Sequence, residues 1–306
     1  MKRDLRTIRD LSADEILSLI SKARTMKAEW AQGKLPLTLA GKVLGLIFVK
    51  PSTRTRVSFE AAMYRLGGNC LFMTSQDTQI SRKEPLSDMA RVLSRYVDAL
   101  VIRTFAQQDV EDLARYATIP VINGLTDDYH PCQVLSDLLT IQEKRGSLDG
   151  LRVAWVGDGN NVAHSWINAA ALLGFSLLLA CPKEYSPNAA ILERARSEAR
   201  GEIRLVTDPR EAVASADVLY TDVWASMGQE EEAEARKEVF RPFQINGELL
   251  AAAPASAMVY HCLPAHRGEE ITEDVMEGPQ SVVFDQAENR LHLQMALLDW
   301  LLCGKS

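Results

Sequence analysis

A chain of 306 residues, 47% hydrophobic and 25% charged, holds enough apolar material for two domains with separate cores, and it is not a wholly disordered chain. Its formal net charge of -7 argues against a nucleic-acid partner, because neutralising phosphates needs a basic face. No window approaches the roughly 18 consecutive apolar residues of a membrane span, so no membrane partner is expected and the chain reads as cytoplasmic.

The first expected element runs from Ser12 to Trp30. Ser12 and Glu15 form a capping-box pattern, and Ile16, Leu19, Ile20, Ala23 and Met26 recur on one helical face. No chemistry is evident there. Val43 to Val49 reads as a buried strand that breaks at Pro51 into Ser52-Thr53-Arg54-Thr55-Arg56, before a helix marked by Phe59, Met63 and Leu66. A strand, a turn and a helix N-terminus in that order aim backbone N–H groups and the positive end of a helix dipole at one point. Ser52, Thr53 and Thr55 add hydroxyl donors, and Arg54 and Arg56 add planar guanidiniums suited to phosphate or carboxylate. Ordinary capping with two solvated arginines is the plainer alternative. Arginine at the positive end of a helix is nevertheless unfavourable unless an anion compensates it, so the stretch is expected to hold a compact anion.

Ser-Thr-Arg-Thr-Arg followed by Ser58-Phe59-Glu60 resembles the carbamoyl-phosphate signature of the aspartate and ornithine carbamoyltransferase family. The resemblance implies that Ser52, Thr53, Arg54 and Thr55 bind carbamoyl phosphate. Downstream, Cys70 to Met73 reads as a strand, Thr74 to Glu84 as a polar loop, and Pro85 to Tyr96 as a helix. Within the loop, Gln79 matches a carbamoyl-phosphate contact that in the family reaches a neighbouring subunit's site. A homo-oligomer, at least a trimer, is therefore implied. Arg82 and Lys83 depart from the family's loop pattern and receive no role.

Asp98 to Ile102 reads as a third strand that delivers Arg103 where open parallel sheets place ligand groups; cover for a sheet edge is the alternative. A helix from Asp109 to Tyr116 and a strand from Pro120 to Asn123 complete a succession of strand-helix units, the pattern of a parallel α/β sheet. His130-Pro131-Cys132-Gln133 opens a helix over Val134 to Lys144, and the proline keeps His130 outside it with its imidazole free. His130 could donate to a carbonyl oxygen and Gln133 accept from an amide. The resemblance assigns both to the carbamoyl group.

Gly146 to Gly150 reads as a boundary, followed by a strand (Leu151 to Val156), a glycine-rich turn (Gly157 to Val162) and a helix from Ala163 to Leu173. The turn is a poor dinucleotide fingerprint, with Val162 where glycine is wanted and Asp158 where a pyrophosphate would approach. The resemblance gives Asn161 to the amino-acid substrate instead. Strands at Leu177 to Ala180, Ile203 to Val206 and Val218 to Tyr220 form a second parallel sheet, the last ending at Asp222. A carboxylate there suits a substrate ammonium, or else caps a helix. Asp222 with Ser226-Met227-Gly228 resembles the loop by which the ornithine-using branch recognises its amino acid, implicating Ser226 and Met227. Glu230 to Glu238 reads as a solvated helix.

A strand from Met258 to Tyr260 leads into His261-Cys262-Leu263-Pro264. The five cysteines lack Cys-x-x-Cys spacing and fit reduced thiols, and His261, Cys262 and His266 offer no fourth metal ligand nearby, so no metal is expected. The motif resembles that of the ornithine-using branch, which implies that Cys262 and Leu263 contribute to the carbamoyl-phosphate site and that Cys262 with Asp222 faces the reacting amine. Ser281 to Phe284 reads as a closing strand and Gln286 onward as a long helix, with Arg290 near its start and, by resemblance, in the anion site.

The organisation implied is two doubly wound parallel-sheet α/β domains joined by two interdomain helices. Residues 1–146 with 286–306 would bind carbamoyl phosphate, and 147–285 would bind ornithine. The resemblance implies transfer of the carbamoyl group to L-ornithine, giving L-citrulline and phosphate, with Arg103, His130, Asp222 and Cys262 as catalytic residues. That chemistry requires no cofactor. A relative using putrescine or another amine, an NAD-dependent oxidoreductase resting on the glycine turn, and a binding protein that kept the fold are the alternatives.

Overall fold

The computed structural model describes residues 2–34, 36–74, 76, 84–225 and 230–304, which divide into two compact units, Met1–Leu139 with Asn289–Ser306 and Thr140–Glu288. Gln79, Arg82, Lys83, Ser226 and Met227 lie outside the described residues.

In the first unit α1 (Ala13–Ala31) begins at Ser12, whose hydroxyl accepts from the Glu15 amide while the Glu15 side chain reaches back, and its five expected apolar residues are buried. Then follow β1 (Val43–Phe48), α2 (Thr53–Arg65), β2 (Asn69–Thr74), α3 (Leu86–Leu93), β3 (Ala99–Arg103), α4 (Gln107–Tyr116), β4 (Val121–Leu125) and α5 (Pro131–Arg145). All pairings are parallel, in the order β2-β1-β3-β4. β1 and β3 are inner strands with near-continuous burial, as parallel strands covered on both faces require. Leu5 lies alongside β4, giving its N–H to Val121 O and accepting from the Asn123 N–H, which covers that edge. A two-hydrogen-bond contact of one residue leaves no periodicity to read.

Among the boundaries that differ from the sequence reading, two have a plain local cause. α3 stops at Leu93 rather than Tyr96, because Ser94 turns its hydroxyl onto Ala90 O and the chain folds back toward β3. α5 starts at Pro131 rather than Val134: proline is tolerated at the first helical position, where its missing N–H would have had no helical partner.

The second unit continues with β5 (Arg152–Val156), α6 (Asn161–Leu173), β6 (Ser176–Ala180), α7 (Ala189–Glu198), β7 (Ile203–Val206), α8 (Pro209–Val213), β8 (Val218–Thr221), α9 (Ala233–Phe240), α10 (Gly247–Ala251), β9 (Met258–His261), α11 (Glu273–Met276) and α12 (Val283–Cys303). Its sheet, β7-β6-β5-β8-β9, is again parallel. Trp155, Tyr220 and Tyr260 are register partners on β5, β8 and β9 and stack at 5.1 and 6.0 Å between ring centroids. Such pairs stabilise by roughly 0.5–1.5 kcal/mol each beyond their burial. This aromatic row ties β5, β8 and β9 together.

The closing strand expected at Ser281 to Phe284 is absent from these described residues. Ser281 makes an isolated bridge to Val259, and the helix is already under way at Val283, with Phe284 62% exposed. A short apolar run cannot be told from a helix start by periodicity. Arg290 consequently sits in the third turn of α12 and not near its positive end. The chain passes from one unit to the other within α5 and again within α12.

Candidate active site

The first unit gathers its candidates at the C-terminal ends of β1 and β3. Ser52 is the N-cap of α2, its hydroxyl accepting from the Thr55 amide at 3.2 Å. The amides of Thr53 and Arg54 lie ahead of the first helical hydrogen bond and point outward from the turn. Thr55 is buried, and its hydroxyl accepts from a guanidinium N–H of Arg290 at 2.8 Å, although 235 residues separate them. Arg56 turns away, pairing with Glu60 at 3.1 Å and lying over the Phe72 ring, so the second arginine of the motif is not part of the cluster. Arg103 ends β3, 6% exposed, and its carbonyl accepts from the Val49 amide at 2.8 Å. Because β3 is flanked by β1 and β4, the reading of Arg103 as cover for a sheet edge falls.

His130 is not free but enclosed, at 4% exposure. Burial first, then the positive charges of Arg290, Arg103 and Arg54, push its imidazole well below the usual histidine range. The ring therefore remains unprotonated at neutral pH, able to donate one N–H without adding a cation. Gln133 is oriented by its own helix: its amide Nε2 gives to Asp137 Oδ1 at 2.8 Å, and its Oε1 finds no partner among the described residues. It thus presents an acceptor, as its sequence position suggested.

A consequence for stability follows from His130. The unfolded side chain protonates near pH 6.5 and the folded one only well below it, so the unfolded state binds more protons as pH falls from about 6.5. The stability is present above that pH and is lost below it, by up to about 1.4 kcal/mol per pH unit. Urea unfolding at pH 7.5 and 5.5 is expected to show a smaller acid loss in His130→Gln than in the wild type. Equal losses would remove His130 as the cause.

In the second unit Asp222 follows β8 and is 7% exposed. Its Oδ1 accepts from the Cys262 thiol at 2.9 Å and from the Val223 amide at 2.9 Å, and its Oδ2 accepts from Asn160 Nδ2 at 2.8 Å. The carboxylate is thus held by three donors rather than capping a helix. Asn160, which the sequence reading passed over, caps α6 with its Oδ1 and grips Asp222 with its Nδ2. Asn161 is the first residue of α6, two positions earlier than the sequence placed the helix. The signal for this was an asparagine just ahead of an apolar-periodic stretch.

Asp158 and Arg236 form a second buried feature. Arg236, expected on a solvated helix, is 5% exposed; it donates to Trp224 O at 2.8 Å and to Asp158 Oδ2 at 3.2 Å, and lies over the Tyr185 ring. Burial pushes Asp158 up to about 6 despite that guanidinium. At Gly159 a Cβ would stand 2.2 Å from Pro187 N, so the turn is already filled where a dinucleotide's pyrophosphate would have to approach.

Cys262 follows β9, and Leu263 adopts φ 61°. Ligand atoms of Asp222, His261 and Cys262 lie within 4.8 Å of one another, Asp222 being a third donor that the sequence reading did not count. Both ring nitrogens of His261 are already engaged, with the Leu263 amide at 2.9 Å and with Glu270 Oε1 at 2.8 Å. Metal binding there would have to break one of those bonds.

Residues 3–143 match the model of the aspartate/ornithine carbamoyltransferase carbamoyl-P binding domain, and residues 149–301 match that of the Asp/Orn binding domain. The chain belongs to the aspartate/ornithine carbamoyltransferase family. It is 57% identical to the ornithine carbamoyltransferase of Desulfotalea psychrophila, over 99% of this chain and 100% of that protein. It is 53% identical to the anabolic ornithine carbamoyltransferase of Pyrococcus furiosus, over 99% and 97%. The solved ornithine carbamoyltransferase from Pyrococcus furiosus superposes with a TM-score of 0.95, covering 100% of this chain and 98% of that one, and the anabolic enzyme from Campylobacter jejuni with 0.93, covering 100% of both at 42% identity. As a carbamoyltransferase the chain is an enzyme, and its two parallel-sheet units are the fold of these relatives. No helix among the described residues is long and apolar enough to cross a membrane.

Proposed function

We infer that this carbamoyltransferase uses L-ornithine, joining it to the carbamoyl group of carbamoyl phosphate to give L-citrulline and phosphate. The observation that carries the acceptor is the Asp222 carboxylate with the Cys262 thiol and Asn160 amide bonded to it. A carboxylate and a thiol suit an amine, whereas a second substrate carboxylate would require basic groups. The anabolic name of the Pyrococcus furiosus relative supports the direction of citrulline synthesis for arginine biosynthesis.

In this reading the first unit takes carbamoyl phosphate. Ser52, Thr53, Arg54, Thr55, Arg103 and Arg290 neutralise the phosphate, and Gln79 is contributed by a neighbouring subunit. Thr55, Arg103 and His130 donate to the carbamoyl oxygen as it becomes an oxyanion, and Gln133 Oε1 accepts from the carbamoyl amide. Cys262 and Leu263 share in the same substrate. The second unit takes ornithine through Asn161, Asp222, Ser226 and Met227. The side-chain amine, with an ordinary pKa near ~10, must lose a proton before it attacks the carbamoyl carbon; Asp222 and Cys262 orient it and accept its hydrogen bonds. The tetrahedral intermediate collapses with release of phosphate, whose charge the arginines already compensate.

The chain is read as cytoplasmic and as a homo-oligomer, a trimer by its likeness to the family; the edge strand β2 and the neighbouring α2 support the association. They expose Leu71, Val57 and Tyr64, each more than half accessible, and an apolar sheet edge invites a partner. Light scattering that gave the mass of a single chain would remove the shared-site reading of Gln79. For the activity, equal amounts of citrulline and phosphate should appear when the protein is mixed with carbamoyl phosphate and ornithine; phosphate without citrulline would refute the transfer.

A further inference from the structure

We propose that Gln107, acting through the Thr126 hydroxyl, is the positioning residue that holds His130 in its working orientation. The inference rests on the reading of His130 as a donor to the carbamoyl oxygen.

Hydrogen bonding runs in one direction here, from one main-chain group to another by way of three side chains. Asn123 on β4 gives its Nδ2 to Arg6 O at 2.8 Å; a carbonyl can only accept, so the atom facing it is the amide nitrogen. The same Nδ2 reaches the side chain of Gln107, the first residue of α4, at 3.2 Å, and what it meets there must be Oε1. Gln107 Nε2 is thereby turned to Glu111 Oε1 at 3.1 Å, where a donor is needed. With Oε1 so fixed, Thr126 Oγ1, 2.8 Å from it, gives its single proton to Gln107. Giving that proton instead to Tyr129 O, at 3.4 Å, would set two lone pairs against each other at the shorter distance. The hydroxyl oxygen is left to accept, and the Tyr129 amide points at it from 3.1 Å. The Thr126 amide gives to Tyr129 O at 2.9 Å, so the turn from Thr126 to Tyr129 is closed through both the main chain and the hydroxyl. His130 follows directly. Beyond it the Cys132 thiol gives to Asn123 O at 3.5 Å, so Asn123 braces the chain on both sides of His130. Asn123 and Thr126 are fully buried and Gln107 is half-buried.

Without the Gln107 acceptor the Thr126 hydroxyl is released to rotate, and the Tyr129 N–H loses the lone pair that was held toward it. A buried donor left in that state costs free energy, and the turn relaxes to recover a partner. The main chain that carries His130 moves with it. Displacement of a reacting group by about 1 Å can cost on the order of 10²-fold in rate.

The test compares Thr126→Val, which keeps the shape and removes the hydroxyl, with Thr126→Ser, which keeps the hydroxyl. Gln107→Leu, at the half-buried end, is made alone and together with Thr126→Val. Three readouts are taken on the intact protein: kcat with both substrates saturating, KM for ornithine, and the ring Cε1–H resonance of His130 in protein labelled with 13C-histidine, identified as the signal missing from His130→Gln. Thr126→Val and Gln107→Leu are each expected to lose about 10²-fold in kcat and to shift the His130 resonance, while KM for ornithine stays within about twofold. The double variant should lose no more than either single one, and Thr126→Ser should recover to within about tenfold of the wild type with the native resonance. An unshifted His130 resonance in either Thr126→Val or Gln107→Leu overturns the positioning role. So do losses that multiply in the double variant, since the two residues would then act separately, and so does a serine variant as impaired as valine. A shifted resonance with wild-type kcat upholds the positioning and overturns instead the role given to His130.

Discussion

Replacing Arg103 with alanine is expected to lower citrulline formation by about 10²–10³-fold, as the loss of one donor to a developing oxyanion does elsewhere. The residue ends an inner strand of the first unit's sheet, nearly buried, and its charge acts on His130 together with those of Arg54 and Arg290. A guanidinium so placed offers two parallel N–H groups to one anion, and lysine offers a single ammonium. Arg103→Lys should therefore fall between alanine and the wild type. Steady-state rates at saturating ornithine, with carbamoyl phosphate varied, would show the loss in kcat as well as in KM, since the donor acts on charge that grows in the transition state. Thermal unfolding of the variant serves as the control for folding. An alanine variant within tenfold of the wild type in kcat would remove Arg103 from the transition-state role.

Arg236→Met is the corresponding prediction for stability. The guanidinium satisfies the Trp224 carbonyl and is paired with an Asp158 carboxylate that has little access to water. Taking away one member of a buried pair typically costs about 3–5 kcal/mol, because the other is left charged and unpaired. The cost should depend on pH in a definite direction. Burial already raises folded Asp158 to about 6, above its unfolded value of 3.8, so the carboxyl is largely protonated in the fold at pH 5 and ionised at pH 8. The variant should be nearer to the wild type at pH 5 than at pH 8. Denaturant unfolding at the two values measures this, and a penalty that was equal at both, or larger in acid, would show that the ion pair is not its source. Trp224 lies two residues after Asp222 and Asp158 two before Asn160, so ornithine affinity is expected to weaken with stability.

What could be read from the residues was what is local. The strand, turn and helix from Val43 onward were legible because strand pattern, cap and helix start are contiguous, and α1 because its cap and apolar stripe share one helix. The parallel α/β architecture followed from the alternation of strand and helix patterns. The groups that hold the second cluster in place were not legible, since each works across a long stretch of chain: Asn160 on Asp222 over 62 residues, Arg236 on Asp158 over 78. Asn160 passed as one residue of a glycine-rich turn, and Arg236 as one charge in an acidic run. Arg290 came from the resemblance alone, and its partner Thr55 appears only in the fold. Phe284 shows the opposite failure, an apolar residue taken for strand that stands exposed in a helix.

Competition among amines decides whether ornithine is the acceptor. Product formation from carbamoyl phosphate would be measured with ornithine, putrescine, N-acetylornithine and aspartate at equal concentration. A strong preference for ornithine is expected, because Asn161, Asp222, Ser226 and Met227 are assigned to the whole amino acid and not to its amine alone. Putrescine used as well as ornithine would contradict it, for an acceptor with no α-carboxylate would then be recognised equally.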